Sequence, residues 1–97
     1  MTESEIIDLC CDIERLAFGP EDYHGVHPPR RFDSDPAAYE ALKKRVREMN
    51  VEYEIGWDHV LGHHYVRIHR IVSCIKRDHV SEPIAFLQAL RVALNGE

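Results

Sequence analysis

The stretch "VEYEIGWDHVLGHHYVRIHR", Val51 to Arg70, decides how this chain folds, because the spacing of its apolar residues departs there from the helical period that precedes it. Val51, Tyr53, Ile55 and Trp57 alternate with Glu52, Glu54 and Gly56. That alternation predicts a half-buried strand over about residues 51–57 with an acidic outer face. "HYVRIHRIVSCI" predicts a second strand over about 64–75, with Val66 and Ile68 inward and Arg67 and His69 outward. Arg70 falls on the inward set, so a bulge, bend or strand end is expected near His69 to Ile71. "DHVLGH" reads as the hairpin loop between the strands, and "KRDHV" as the turn that follows them.

The flanking segments keep the helical period. Upstream, "DPAAYEALKKRVREMN" predicts a helix over 36–49, with Asp35 as N-cap, Pro36 in the first turn, and Tyr39, Leu42, Val46 and Met49 on one stripe. Its other face carries Lys43, Lys44, Arg47 and Glu48, with Glu40 placed to pair with Lys44. "ESEIIDLCCDIERLAF" predicts an amphipathic helix over about 3–18, capped by Thr2 or Ser4 and stopped by Gly19-Pro20. Between these helices, 19–35 is rich in Pro, Gly and His without either period, and reads as a long loop. Downstream, "SEPIAFLQALRVALNGE" predicts a helix over 83–94, capped by Ser81 or Glu82 and ended at Asn95-Gly96. Apolar residues surround most of its circumference, so it needs more than one neighbour: the sheet plus another helix, or a second copy of the chain. The expected fold is α+β, a single domain over 1–97 in the order α-α-β-β-α, with an antiparallel hairpin packed against helices. A two-stranded hairpin is marginal alone, and a homodimer is therefore expected, with Tyr39, Leu42 and Trp57 in the core.

Composition narrows the function classes. An apolar fraction of 44% and a charged fraction of 30% are those of a globular chain. No apolar run approaches a membrane span, and the start "MTESEIIDLCCD" is acidic where a secretory signal would be basic, so the cytoplasm is the expected compartment. Three cysteines, two of them adjacent at Cys10 and Cys11, make a poor disulfide framework and lack the C-x-x-C spacing of zinc sites. His59, His63, His64 and His69 are spread along extended chain and do not converge by local geometry; with His24 and His27 they are read as solvated or capping side chains, with no metal and no cofactor expected. No nucleophile is placed with a base and its orienter, no phosphate loop or carboxylate pair appears, and no catalytic residue is assigned.

Charge is bipolar. Residues 1–40 hold three bases against ten acids, a net of -7, whereas 41–97 hold nine bases against seven acids, a net of +2. The first helix presents Glu5, Asp8, Asp12 and Glu14, and the loop adds Glu21 and Asp22. This acidic face suits a protein partner with a basic surface. The competing surface is basic, from Lys43, Lys44, Arg47, Arg67 and Arg70 with Lys76 and Arg77, which would serve nucleic acid if the second helix and the outer sheet face formed one surface. The overall charge of -5 argues against that reading.

Within residues 32–94, "YEALKKRVREMNVEYEIGW", the hairpin strand "HYVRIH" and the proline-led helix "SEPIAFLQALRVAL" resemble the small phage and prophage proteins that carry the phage α-β-α sandwich domain. The resemblance covers about two thirds of the chain and implies fold and genomic origin, with no catalytic residues to carry over. With the small size and acidic face, it leads to the expectation of a phage-type accessory protein that binds a host protein in a bacterial cytoplasm. Inhibition of a defence complex such as a CRISPR effector is one form that activity would take. The alternative is a nucleic-acid-binding accessory protein.

Overall fold

Three helices and a three-stranded antiparallel sheet build the α+β fold, and the computed structural model describes residues 1–19, 30–69 and 73–95. Helix α1 spans Glu3–Ile13 and opens on a reciprocal cap. Glu5 N–H donates to Thr2 Oγ1 at 3.2 Å while Thr2 N–H donates to Glu5 Oε1 at 3.1 Å, so two of the first-turn donors are satisfied. The helix widens into a π-helical turn over Glu14–Phe18, where Arg45 Nε donates to the Ala17 carbonyl at 2.8 Å. Helix α2, Pro36–Glu48, starts with Asp35 accepting from Ala37 N–H at 3.0 Å and buries Ala38, Tyr39, Leu42 and Val46.

Helix α3, Glu82–Leu94, is the centre of the molecule. It packs on one side against the sheet and on the other against α1. Ile84, Ala85, Phe86, Leu87, Ala89, Leu90 and Ala93 are all buried, which a single covering layer would not achieve. Each fully buried Leu, Ile or Phe contributes about 1.5–3 kcal/mol relative to exposure. Within one chain the sheet and α1 cover most of the apolar circumference of α3, leaving Val92 and Leu94 partly buried. Phe86 packs nearly perpendicular to the rings of Tyr39 at 5.7 Å and Tyr53 at 5.1 Å, joining α2, α3 and the sheet. Tyr39 also donates its hydroxyl to Glu82 Oε2 at 2.7 Å.

The sheet runs β1 (Glu52–Asp58), β2 (His63–His69) and β3 (Cys74–His79), with β2 in the middle. Tyr53 faces Ile68 and Ile55 faces Val66 on the helix side, and Ile68 faces Ile75. On the outer side Glu54 faces Arg67, which faces Lys76. The predicted second strand over 64–75 is therefore two strands, and the segment read as the turn "KRDHV" lies in β3 and just beyond its end. Charge in consecutive positions hid that strand: β3 is an edge, and Lys76, Arg77 and Asp78 are exposed on it whichever face they take. The bulge expected near His69 to Ile71 falls partly on 70–72, outside the described residues, while β2 ends at His69.

Two other expectations are corrected, and the loop adds one residue to the core. Trp57, expected in the core, is 54% exposed, because it lies at the open end of the edge strand and beyond the reach of α3. Phe32, within the segment read as loop, is fully buried and stacks with Phe18 at 6.2 Å. Glu40 pairs with Lys43 at 2.8 Å rather than with Lys44.

Candidate functional site

The acidic face of α1 is largely consumed by the fold. Glu5 is exposed, but its carboxylate is held below its ordinary range by the hydrogen bonds from Thr2. Asp12 bridges Arg15 at 3.2 Å and Arg91 at 3.4 Å. Glu14, expected on the partner surface, is only 7% exposed, because Arg30 Nε contacts both its oxygens at 3.0 Å and stacks at 3.9 Å on the Phe18 ring. Glu5 and Asp8 are both exposed without an ion pair among the described residues, and Thr2 already takes one oxygen of Glu5. Glu21 and Asp22 lie outside the described residues.

The bases do not merge into one surface. Lys43 is half-buried over the Tyr39 ring at 4.5 Å, Lys44 is exposed, and Arg47 donates to the Tyr53 hydroxyl at 2.9 Å. These belong to α2, on the helix side of the sheet. Arg67, paired with Glu54 at 3.2 Å, and Lys76 lie on the opposite side, flanking the Tyr65 ring at 5.1 and 5.5 Å. Arg70 is outside the described residues. An open cleft of about 710 Å³ at the start of β1 is lined by Arg47, Asn50, Val51, Glu52, Tyr53 and His69, with one acid among its bases.

At the other end of the sheet the chain exposes apolar side chains in a fixed frame. Asp58 Oδ1 accepts from Val60 N–H at 3.0 Å and Leu61 N–H at 3.2 Å, and Gly62 N–H donates to the Asp58 carbonyl at 2.8 Å. Those backbone bonds hold the Asp58 carboxyl below its usual range. Gly62 has φ of +70°, a left-handed conformation that a β-branched residue would resist. The turn so locked projects Val60, 82% exposed, and Leu61, 58% exposed. Trp57 stands beside them, its ring edge-on to His64 at 4.8 Å. His64 in turn faces His79, which precedes Val80, 64% exposed. The sequence signal for this patch was present: apolar "VL" inside a turn bounded by Asp and Gly, where turn chemistry favours polar residues.

Four histidines, His59, His63, His64 and His79, lie at this end, whereas His69 lies at the other. His59 is exposed in the turn, His63 Nδ1 is 3.4 Å from Asp78 Oδ2, and His79 Nδ1 accepts from Ser81 N–H at 3.0 Å. Burial first, then the amino-terminal charge and His63, push the His79 imidazole below its ordinary range. Among the described residues no three His, Cys, Asp or Glu side chains are grouped so as to hold a metal ion. Cys10 is buried and donates to Asp33 Oδ1 at 3.7 Å; burial raises its thiol, the reverse of what a nucleophile needs. No helix among the described residues is long and apolar enough to cross a membrane. No protein-family model, curated protein or solved structure matches the chain.

Proposed function

We propose that this is a binding protein rather than an enzyme: a small accessory protein of the phage type that acts on a host protein in the cytoplasm, gripping it with the β1–β2 turn. One observation carries the reading. Val60 and Leu61 are exposed in a turn whose backbone is fixed by Asp58, so they meet a partner without the cost of ordering a loop. Together with Trp57 and Val80 they have the composition of an interface centre, where aromatic and aliphatic anchors dominate the binding energy. The flanking acids Asp58 and Asp78 and the net charge of -5 suit a partner whose apolar pocket is rimmed by bases. A nucleic-acid-handling defence complex, whose channels are positively charged, has that chemistry.

The test is capture from nuclease-treated bacterial lysate by the purified chain and by the Val60→Asp/Leu61→Asp variant, with folding of both checked by circular dichroism. A basic protein recovered in stoichiometric amount by the first and lost by the second is expected. Equal recovery by both, no recovery by either, or recovery of nucleic acid alone from untreated lysate overturns the reading.

A further inference from the structure

The two edges of the sheet are not alike. β3 carries the bases Lys76 and Arg77 on opposite faces, so a strand added there meets positive charge on both sides. β1 has no base, and its three acids all lie on one face. Among the described residues it is bonded to β2 and to no other strand, and α3 lies over β2 and β3 with little reach to β1. On its helix side run Tyr53, Ile55 and Trp57, half-buried, half-buried and exposed, ending beside the Val60–Leu61 turn. On its outer side run Glu52, Glu54 and Asp58. Arg67 takes Oε1 of Glu54 and the turn takes Oδ1 of Asp58, so each of the three carboxylates keeps at least one oxygen without a partner among the described residues.

From this edge we infer how the partner is held: a β-strand of the partner protein, alternating basic and apolar side chains, adds to β1 as a fourth strand. The inference rests on the protein-binding reading above and specifies its chemistry. An added strand lies about 4.8 Å away and alternates its side chains between the two faces, so one set of residues meets the acids and the next meets the apolar row. Directly opposed side chains have Cβ atoms about 4.5–5.5 Å apart, within reach of Lys or Arg on Glu52 and Glu54 and of Val or Ile on Tyr53, Ile55 and Trp57. A second copy of β1 is the wrong occupant. Antiparallel pairing about Ile55 sets Glu52 against Asp58, and parallel in-register pairing sets each acid against itself; like charges directly opposed destabilise a sheet.

The experiment titrates the isotope-labelled full chain with a synthetic peptide of alternating Lys and Val that matches the seven residues of β1. Two controls accompany it: a peptide of the same composition with its lysines grouped, and the alternating peptide with N-methylated backbone amides. The expected result is chemical-shift change concentrated on Glu52–Asp58, with amide exchange along β1 slowed on the order of tenfold. Both controls and the Glu52→Gln/Glu54→Gln variant should bind severalfold more weakly. Equal binding of the N-methylated peptide, shifts centred on α1 around Asp8, or a dimer in light scattering that the peptide breaks would overturn the inference. Failure of the peptide together with successful, turn-dependent capture in the lysate experiment removes the strand-addition mode and leaves the protein-binding reading standing.

Discussion

Gly56 and Tyr65 form the pair on which the outer face of the sheet turns. A Cβ placed on Gly56 would lie 2.3 Å from Tyr65 Cζ, so the glycine is there to let the opposed ring cross the strand, between Arg67 and Lys76. Gly56→Ala should displace that ring and lower stability. In a Tyr65→Ala background the same change should instead stabilise by about 0.5–1 kcal/mol, the ordinary penalty of glycine in a strand; urea unfolding of the four proteins measures the sign reversal. The buried end of the π-helical turn supplies a second case. Removing the Glu14 carboxylate leaves the Arg30 guanidinium over Phe18 without its anion, and Glu14→Ala should cost about 1–3 kcal/mol, less than for a fully enclosed pair because Arg30 reaches solvent. Neither position was legible in sequence. Glycine in a strand pattern looks like any gap, and an acid on a helix looks solvated until a distant arginine arrives.

Among the elements, α2 was readable to the residue at its start, because caps are local chemistry. Asp35→Ala should lower stability by about 0.5–2 kcal/mol through the lost bond to Ala37 N–H, a loss visible as a shift in the thermal midpoint. α3 was equally legible as a helix, but its neighbours were not. The structure covers it with the sheet and α1, so Leu90→Ala, at a fully buried site, should cost about 2–5 kcal/mol. If α3 were covered by a second copy instead, that variant would change the oligomeric mass as well, and light scattering at several concentrations separates the two. β3 was missed because Lys76, Arg77 and Asp78 put charge on both faces in succession, whereas β1 and β2 keep apolar side chains on one face.

For the whole molecule, pH links the site to the fold. Burial, then the amino-terminal charge and His63, make the His79 imidazole bind a proton less readily in the folded chain than in the unfolded chain, where the value is near 6.5. It therefore contributes stability that is complete above that pH and is lost as the pH falls below it, since the unfolded chain takes up the proton first. His79→Gln should flatten the stability curve between about pH 7 and pH 5, and a proton NMR titration of the imidazole locates the group directly. Asp33 works lower on the scale: Arg31, at 2.9 Å, holds its carboxyl below the ordinary 3.8, so its contribution is present above that value and fades as the pH falls through the folded one. Comparing acid unfolding of Asp33→Asn with the parent isolates this second step.

Periodicity and local chemistry were enough to determine the α+β class, the three helices, the first strand and the hairpin, because those depend on neighbours a few residues away. The uneven charge pointed to a partner with a basic surface. Only the tertiary structure decided which charges are left for a partner and which are spent within the chain: Glu14, Asp12 and Arg30 are neutralised by residues 16 to 79 positions away. It also decided that Trp57, on the helix side of β1, stays exposed. The alternation of β1 reads the same whether a helix covers its apolar side or leaves it open, and that depends on where α3 lies across the sheet.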